Sequence, residues 1–228
     1  MSLAEQYRSV AAELSRVCRE ADRDPSEVRL VAVSKTVEIP AIASAIGAGA
    51  LDLGENRPDR IVAAHAAYPR ARWHFIGNVQ SRRIADIVGC AHLVHSVFVE
   101  KHLRRIDAAA EQAGKVQDVL LEVNVSGEQS KGGIAPQQAP ELLRAACELP
   151  HVRVKGLMTM APQGDLQIAE ECFADLRALR DSLNAALPAR IAPLSELSMG
   201  MSEDWRCAIR QGATIVRIGR AIFSERFA

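Results

Sequence analysis

The sequence has no surplus of either charge: 28 Lys and Arg residues stand against 28 Asp and Glu, for a formal net charge of zero. That removes the electrostatic reason to expect a nucleic-acid or membrane-surface partner. Only scattered arginine pairs occur, Arg82-Arg83 and Arg104-Arg105. No apolar run is long enough to cross a bilayer. The opening MSLAEQYRSVAAELSRV carries charges throughout and lacks the apolar segment of a secretory signal. Cysteine is sparse: Cys18, Cys90, Cys147, Cys172 and Cys207 are odd in number, widely spaced and form no C-x-x-C pair. This excludes a disulfide framework and points to reduced thiols in the cytoplasm. His92, His95 and His102 lie close in sequence but match no metal-ligand pattern, so no metal site is expected. There is no nucleophile-elbow, Walker or dinucleotide-binding glycine motif. Tyrosine is down to two residues, Tyr7 and Tyr68.

What the sequence does have is alternation. LAEQYRSVAAELSRVCREA places apolar residues at helical spacing and forms a leading helix within residues 1–24. From residue 28, short β-type runs follow one another at 28–35, 50–56, 72–78, 93–97, 118–126, 152–161, 194–200 and 214–219, with helical patterns between them. Near-continuously apolar strands separated by helices argue for a parallel sheet covered by helices. Eight repeats predict closure into a single-domain (β/α)8 TIM barrel over residues 1–228. An open doubly wound sheet is the alternative. No linker or low-complexity segment interrupts the chain.

In such a barrel the chemistry sits where the strands end. Lys35 closes the first strand. It is either a solvated loop lysine or an amine at the barrel mouth, where desolvation would favour the neutral nucleophile. In LSMGMSEDWRCAIRQG, Ser202 reads as a helix N-cap followed by Glu203 and Asp204, which suits capping and equally suits an anion site. That loop follows strand seven, and RIGRAIF, with Gly219 and Arg220, follows strand eight; barrels commonly hold phosphate between these two loops. Arg217 lies within an apolar strand and requires a partner, either an internal carboxylate such as Glu122 or Glu196, or a ligand. His74 is also within a strand, where a satisfied core histidine is the ordinary case. Glu55 and Asn56 alternate, so only one of them faces a ligand.

A strand-one lysine, a phosphate site after strands seven and eight, and an arginine before the last glycine suggest pyridoxal 5′-phosphate. The segments VAVSKT, GEN, WHFIG, NVSGEQSKGG, KGLMTM, LSMGMSEDW and VRIGRAIF, in this order, resemble the motifs of the YggS/PROSC family of pyridoxal phosphate homeostasis proteins. The resemblance implies the barrel of the alanine racemase N-terminal domain. It implies pyridoxal 5′-phosphate held as a covalent aldimine on Lys35, with Arg217 facing the pyridine nitrogen. It implies phosphate contacts from Ser202 and the backbone near Met201, Gly219 and Arg220. Asn56 and His74 are expected on the ring side of the pocket and Ser198 near its phosphate end. Lys131 matches a further family lysine. The sequence departs from the family at Arg57-Pro58-Asp59-Arg60, at Val79 to Arg83, and at Arg220, where the family often carries a small hydroxyl residue.

The related racemases use a lysine and a tyrosine from a second domain as their two bases. Neither Tyr7 nor Tyr68 is expected at the strand C-terminal face, and an arginine at the pyridine nitrogen weakens the ring as an electron sink. The expectation is therefore a monomeric cytoplasmic carrier, not an efficient enzyme, which holds the cofactor and passes it to apoenzymes. The alternatives are a cofactor-dependent racemase, lyase or decarboxylase with His74 as second base, and a cofactor-free Schiff-base aldolase.

Overall fold

Val, Ile and Leu fill the strand runs on both faces, so the strands bury both sides and cannot lie at a solvated surface. In the computed structural model, which describes residues 1–128, 131–189 and 191–224, they close on themselves. The strands are β1 (Arg29–Val33), β2 (Asp52–Glu55), β3 (Arg72–Phe75), β4 (Leu93–Val97), β5 (Gln117–Glu122), β6 (Val152–Met158), β7 (Glu196–Ser198) and β8 (Ile215–Ile218). Each pairs in parallel with the next, and β8 pairs with β1. The closed barrel rules out the open sheet. Each expected strand is present, and the observed cores are mostly shorter than the apolar runs because the last residues turn outward into loops.

The helices are α1 (Leu3–Glu20), α2 (Ile39–Gly47), α3 (Pro58–Ala67), α4 (Ile84–Cys90), α5 (Glu100–Gln112), α6 (Ala139–Cys147), α7 (Leu166–Ala186), α8 (Trp205–Arg210) and α9 (Arg220–Phe223). α1 begins with a capping box between Ser2 and Glu5 and packs on α2, α8 and α9 through Val10, Leu14 and Val17. α7 is capped by the Asp165 carboxylate, which accepts from the amides of Gln167 and Ile168. Among the described residues, no helix is long and apolar enough to cross a membrane.

Alternation splits the core into two layers. Leu53, Trp73, Phe75 and Val94 face the helices and belong to the large outer core. Val31, Val33, Leu93, Leu120, Met158 and Ile215 form a smaller cluster inside the barrel. Two helix starts differ from expectation. Ser202 is not an N-cap: residues 202–204 form a turn and α8 starts at Trp205. The Asp204 carboxylate accepts from the Met201 amide at 2.6 Å and so holds that turn closed. The segment after β8, expected to be loop, contains the short helix α9.

Candidate functional site

β1 stops at Val33, and the buried Ser34 turns the chain so that Lys35 stands at the barrel rim. The turn is braced from the helix side. Ser34 Oγ donates to Glu55 Oε1 at 2.7 Å. Arg60 donates to the carbonyls of Val37 and Ser34, at 2.6 and 3.3 Å, and to Glu55. Alternation along β2 turns Glu55 toward this brace and leaves Asn56 on the barrel side. Lys35 itself is exposed. Of the two environments the sequence allows for it, the structure has the solvated one.

A cavity of about 360 Å³ opens beside Lys35. Lys35, Asn56, Met201, Ser202, Arg217, Gly219 and Arg220 contribute to its wall, so seven of the residues singled out in the sequence meet there. Val33, Ile76, Gly77, Met158, Met160 and Gln163 complete it and were not singled out. Their signal was the same alternation that marks the strand ends, but apolar residues there look like core. Gly77 has a steric reason: a Cβ at that position would lie 1.9 Å from the Asn56 carbonyl oxygen.

Arg217 is the buried cation of the site, 4% exposed. Its Nη1 donates to Ser198 Oγ at 2.6 Å and its Nη2 to the Thr159 carbonyl at 3.0 Å. Neither expected carboxylate touches it. Glu196 pairs with Arg29 and accepts from Thr214, and Glu122 acts on Arg217 only through space. Burial brings the guanidinium down to about 10, against the charges of Asp204 and Glu122, so it stays a cation at neutral pH. Burial likewise pushes the carboxyls of Glu122 and Asp204 up.

His74 and Ser198 do not line the cavity. His74 lies two residues before Ile76 on β3 and is therefore one layer deeper in the barrel, fully buried. Its Nε2 is 2.9 Å from Asp52 Oδ1 and its Nδ1 is 2.8 Å from His95 Nε2. Ser198 is equally buried and joins His95 to Arg217. Asp52 and His95 are thus functional candidates that the sequence does not mark: His95 stands out there only as one of three neighbouring histidines without a metal-ligand pattern. Lys131 pairs with Glu128 at 2.6 Å and is not on the cavity wall.

Residues 7–226 match the alanine racemase N-terminal domain family. A pyridoxal phosphate homeostasis protein of Pseudomonas aeruginosa is 40% identical over 99% of this chain and 96% of its own. One from Aquifex aeolicus is 38% identical over 99% of both chains. The chain belongs to the pyridoxal phosphate homeostasis protein family. Among solved structures, PipY of Synechococcus elongatus, determined with PLP bound, superposes with a TM-score of 0.83 at 31% identity, over 97% of this chain and all of that one.

Within this homeostasis family, the departures of this chain become intelligible by position. Pro58 occupies the first turn of α3, where its missing N–H has no role. Arg60 braces the Lys35 loop as described. Arg220 lies on the cavity wall with Nη2 donating to Glu203 at 2.7 Å, so its guanidinium is held at the rim. Nothing in the structure explains Arg82.

Proposed function

We propose that this chain binds pyridoxal 5′-phosphate in the cavity beside Lys35 at the C-terminal ends of the strands and serves vitamin B6 homeostasis as a carrier of that cofactor. The observation that carries the reading is the convergence of a primary amine, Lys35, and a buried guanidinium, Arg217, on one wall-lined space. Its volume falls in the range of about 300–1,000 Å³ typical of small-molecule sites. The donors fit the group. Lys35 is the covalent anchor through a Schiff base, since the cofactor supplies an aldehyde that captures primary amines. Ser202 presents its hydroxyl to the phosphate. Among the described residues, the amides of Ser202 and Glu203 have no acceptor of their own and can serve it too. Arg220 adds positive charge at that end, and Gly219 leaves the backbone approachable. Asn56 lies along the ring.

Arg217 donates to a ring nitrogen but keeps its proton at neutral pH, which leaves the ring poor at stabilising a carbanion. Racemase, lyase or decarboxylase chemistry needs a second acid or base at the cavity. Both ring nitrogens of His74 are engaged in the interior, Tyr7 reaches the Gly49 carbonyl, and the Tyr68 hydroxyl donates to the Ile39 carbonyl. None of the three lines the cavity. The exposed Lys35 leaves the anchor open to an incoming amine, as delivery to an apoenzyme requires. We take the carrier to act as a single cytoplasmic chain.

The test is the absorbance spectrum of purified protein mixed with pyridoxal 5′-phosphate, for wild type and Lys35→Ala, followed by borohydride reduction and peptide mass spectrometry. A yellow species lost in Lys35→Ala, with reduced cofactor on Lys35, is the expected result. Trapping of a sugar phosphate by cofactor-free protein would instead favour an aldolase. Amino-acid racemisation or decarboxylation at ordinary enzymatic rates would overturn the carrier reading.

A further inference from the structure

Behind Arg217, a line of buried polar groups crosses the inside of the barrel to its opposite end. Arg217 Nη1 donates to Ser198 Oγ at 2.6 Å. Ser198 Oγ lies 2.8 Å from His95 Nδ1, and His95 Nε2 lies 2.8 Å from His74 Nδ1. His74 Nε2 lies 2.9 Å from Asp52 Oδ1. Asp52, at the start of β2, is clamped by Arg72 through both carboxylate oxygens, at 2.9 and 2.6 Å. The five side chains from Arg217 to Asp52 come from five different strands, and none is more than 5% exposed.

The carboxylate end, together with two neutral imidazoles, fixes the direction of every link. A guanidinium can only donate and an ionised carboxylate can only accept. Each of the three groups between them then accepts once and donates once. Ser198 donates to His95, His95 donates from Nε2 to His74, and His74 donates from Nε2 to Asp52. Both imidazoles are neutral in this arrangement. An extra proton on His74 Nδ1 would face the Nε2–H donor of His95, and one on His95 Nδ1 would turn the serine link round. Burial holds both histidines below their ordinary range, for His74 against the opposing effect of Asp52, and the nearby Arg29 and His92 press the same way as burial.

We propose that Asp52, His74, His95 and Ser198 are positioning residues that hold Arg217 in the cavity wall, through a one-way hydrogen-bond chain anchored on a carboxylate at the far end of the barrel. A buried cation with no carboxylate in contact is costly. A polarised chain in a low-dielectric interior passes part of the carboxylate's influence along it. With Nη1 on Ser198 and Nη2 on the Thr159 carbonyl, the guanidinium plane is fixed before any ligand arrives. The inference deepens the cofactor reading and rests on it.

The first measurement is the imidazole nitrogen spectrum of ¹⁵N-labelled cofactor-free protein at neutral pH. The chain requires His74 and His95 to be neutral with the proton on Nε2; a doubly protonated ring, or a proton on Nδ1 of either, overturns it. The second compares pyridoxal 5′-phosphate retention and the absorbance maximum of bound cofactor in wild type, His95→Ala, Ser198→Ala and His95→Gln. Retention is expected to weaken about five- to tenfold in the alanine variants, with a shifted maximum. His95→Gln, whose amide can donate to His74 and accept from Ser198, is expected to restore both. Wild-type retention and an unshifted maximum in Ser198→Ala overturn the proposal even where His95→Ala fails to fold. A wild-type protein that binds no pyridoxal 5′-phosphate sinks the cofactor reading, while the nitrogen spectra still judge the chain.

Discussion

Asp52 shows how one residue ties pH to stability. Burial alone would raise its carboxyl, but hydrogen bonds from His74 and Arg72 and the charge of Arg72 outweigh burial and hold it at about 2, against 3.8 when free. A depressed acid stabilises the fold at pH values above its free value, and that contribution is lost as pH falls toward the depressed one. The window therefore lies between pH 3.8 and about 2, and the contribution is about 2 kcal/mol. Denaturant unfolding at pH 7 should show Asp52→Asn less stable by about this amount, with the gap from wild type closing in strong acid. A constant gap down to pH 2 would refute the linkage. His74 and His95 act higher on the scale. Their folded values are depressed, so the unfolded chain takes up protons first as pH falls through 6.5 and stability erodes from there. At this scale, Lys35 and Arg217 were legible because a cation closing or interrupting an apolar strand is conspicuous. Asp52 and His95 were not, since their partners come from strands tens of residues away.

Among the elements, strand contacts set what each position tolerates. Gly156 on β6 lies opposite Glu196 on β7, and a Cβ there would sit 1.8 Å from the Glu196 carbonyl oxygen. Gly156→Ala should force β6 from β7 and cost at least about 2 kcal/mol in denaturant unfolding. Gly89, exposed within α4, has nothing within 4 Å of its missing Cβ. Gly89→Ala should raise stability by about 0.5–1 kcal/mol through helix propensity; equal effects at the two glycines would contradict the packing argument. The loop carrying Lys35 depends on α3 through Arg60. Arg60→Ala should weaken cofactor retention several-fold by freeing that loop, with a modest loss in thermal midpoint. Unchanged retention would mean that the brace does not orient the anchor. The number of strands and their order along the chain were readable from the apolar runs. The start of α8 was not, because Ser202-Glu203-Asp204 has the composition of a helix start while Asp204 is spent on the Met201 amide.

For the molecule as a whole, α1 is part of the barrel's outer wall. Its apolar stripe is buried against α2, α8 and α9; α8 follows the turn that carries Ser202, and α9 begins at Arg220. Leu14 is 5% exposed, and Leu14→Ala should destabilise the protein by about 2–4 kcal/mol, read from the thermal midpoint. An unaffected midpoint would show α1 to be a detachable extension. Closure of the barrel also makes the cavity possible, since pairing of β8 with β1 brings Arg217 and Lys35 to one cavity although they lie far apart in the sequence.

The order of strands and helices, the barrel class and the amine–guanidinium pair were determined by the sequence itself, because periodicity and a misplaced charge are local properties of a chain. Which polar strand residues meet the cavity and which stand behind it was decided only by tertiary structure. Alternation assigns a side to each residue, but depth within the barrel depends on how far neighbouring strands are staggered. That stagger put His74 and Ser198 one layer beneath the wall they were expected to form, and joined them to Asp52 and His95.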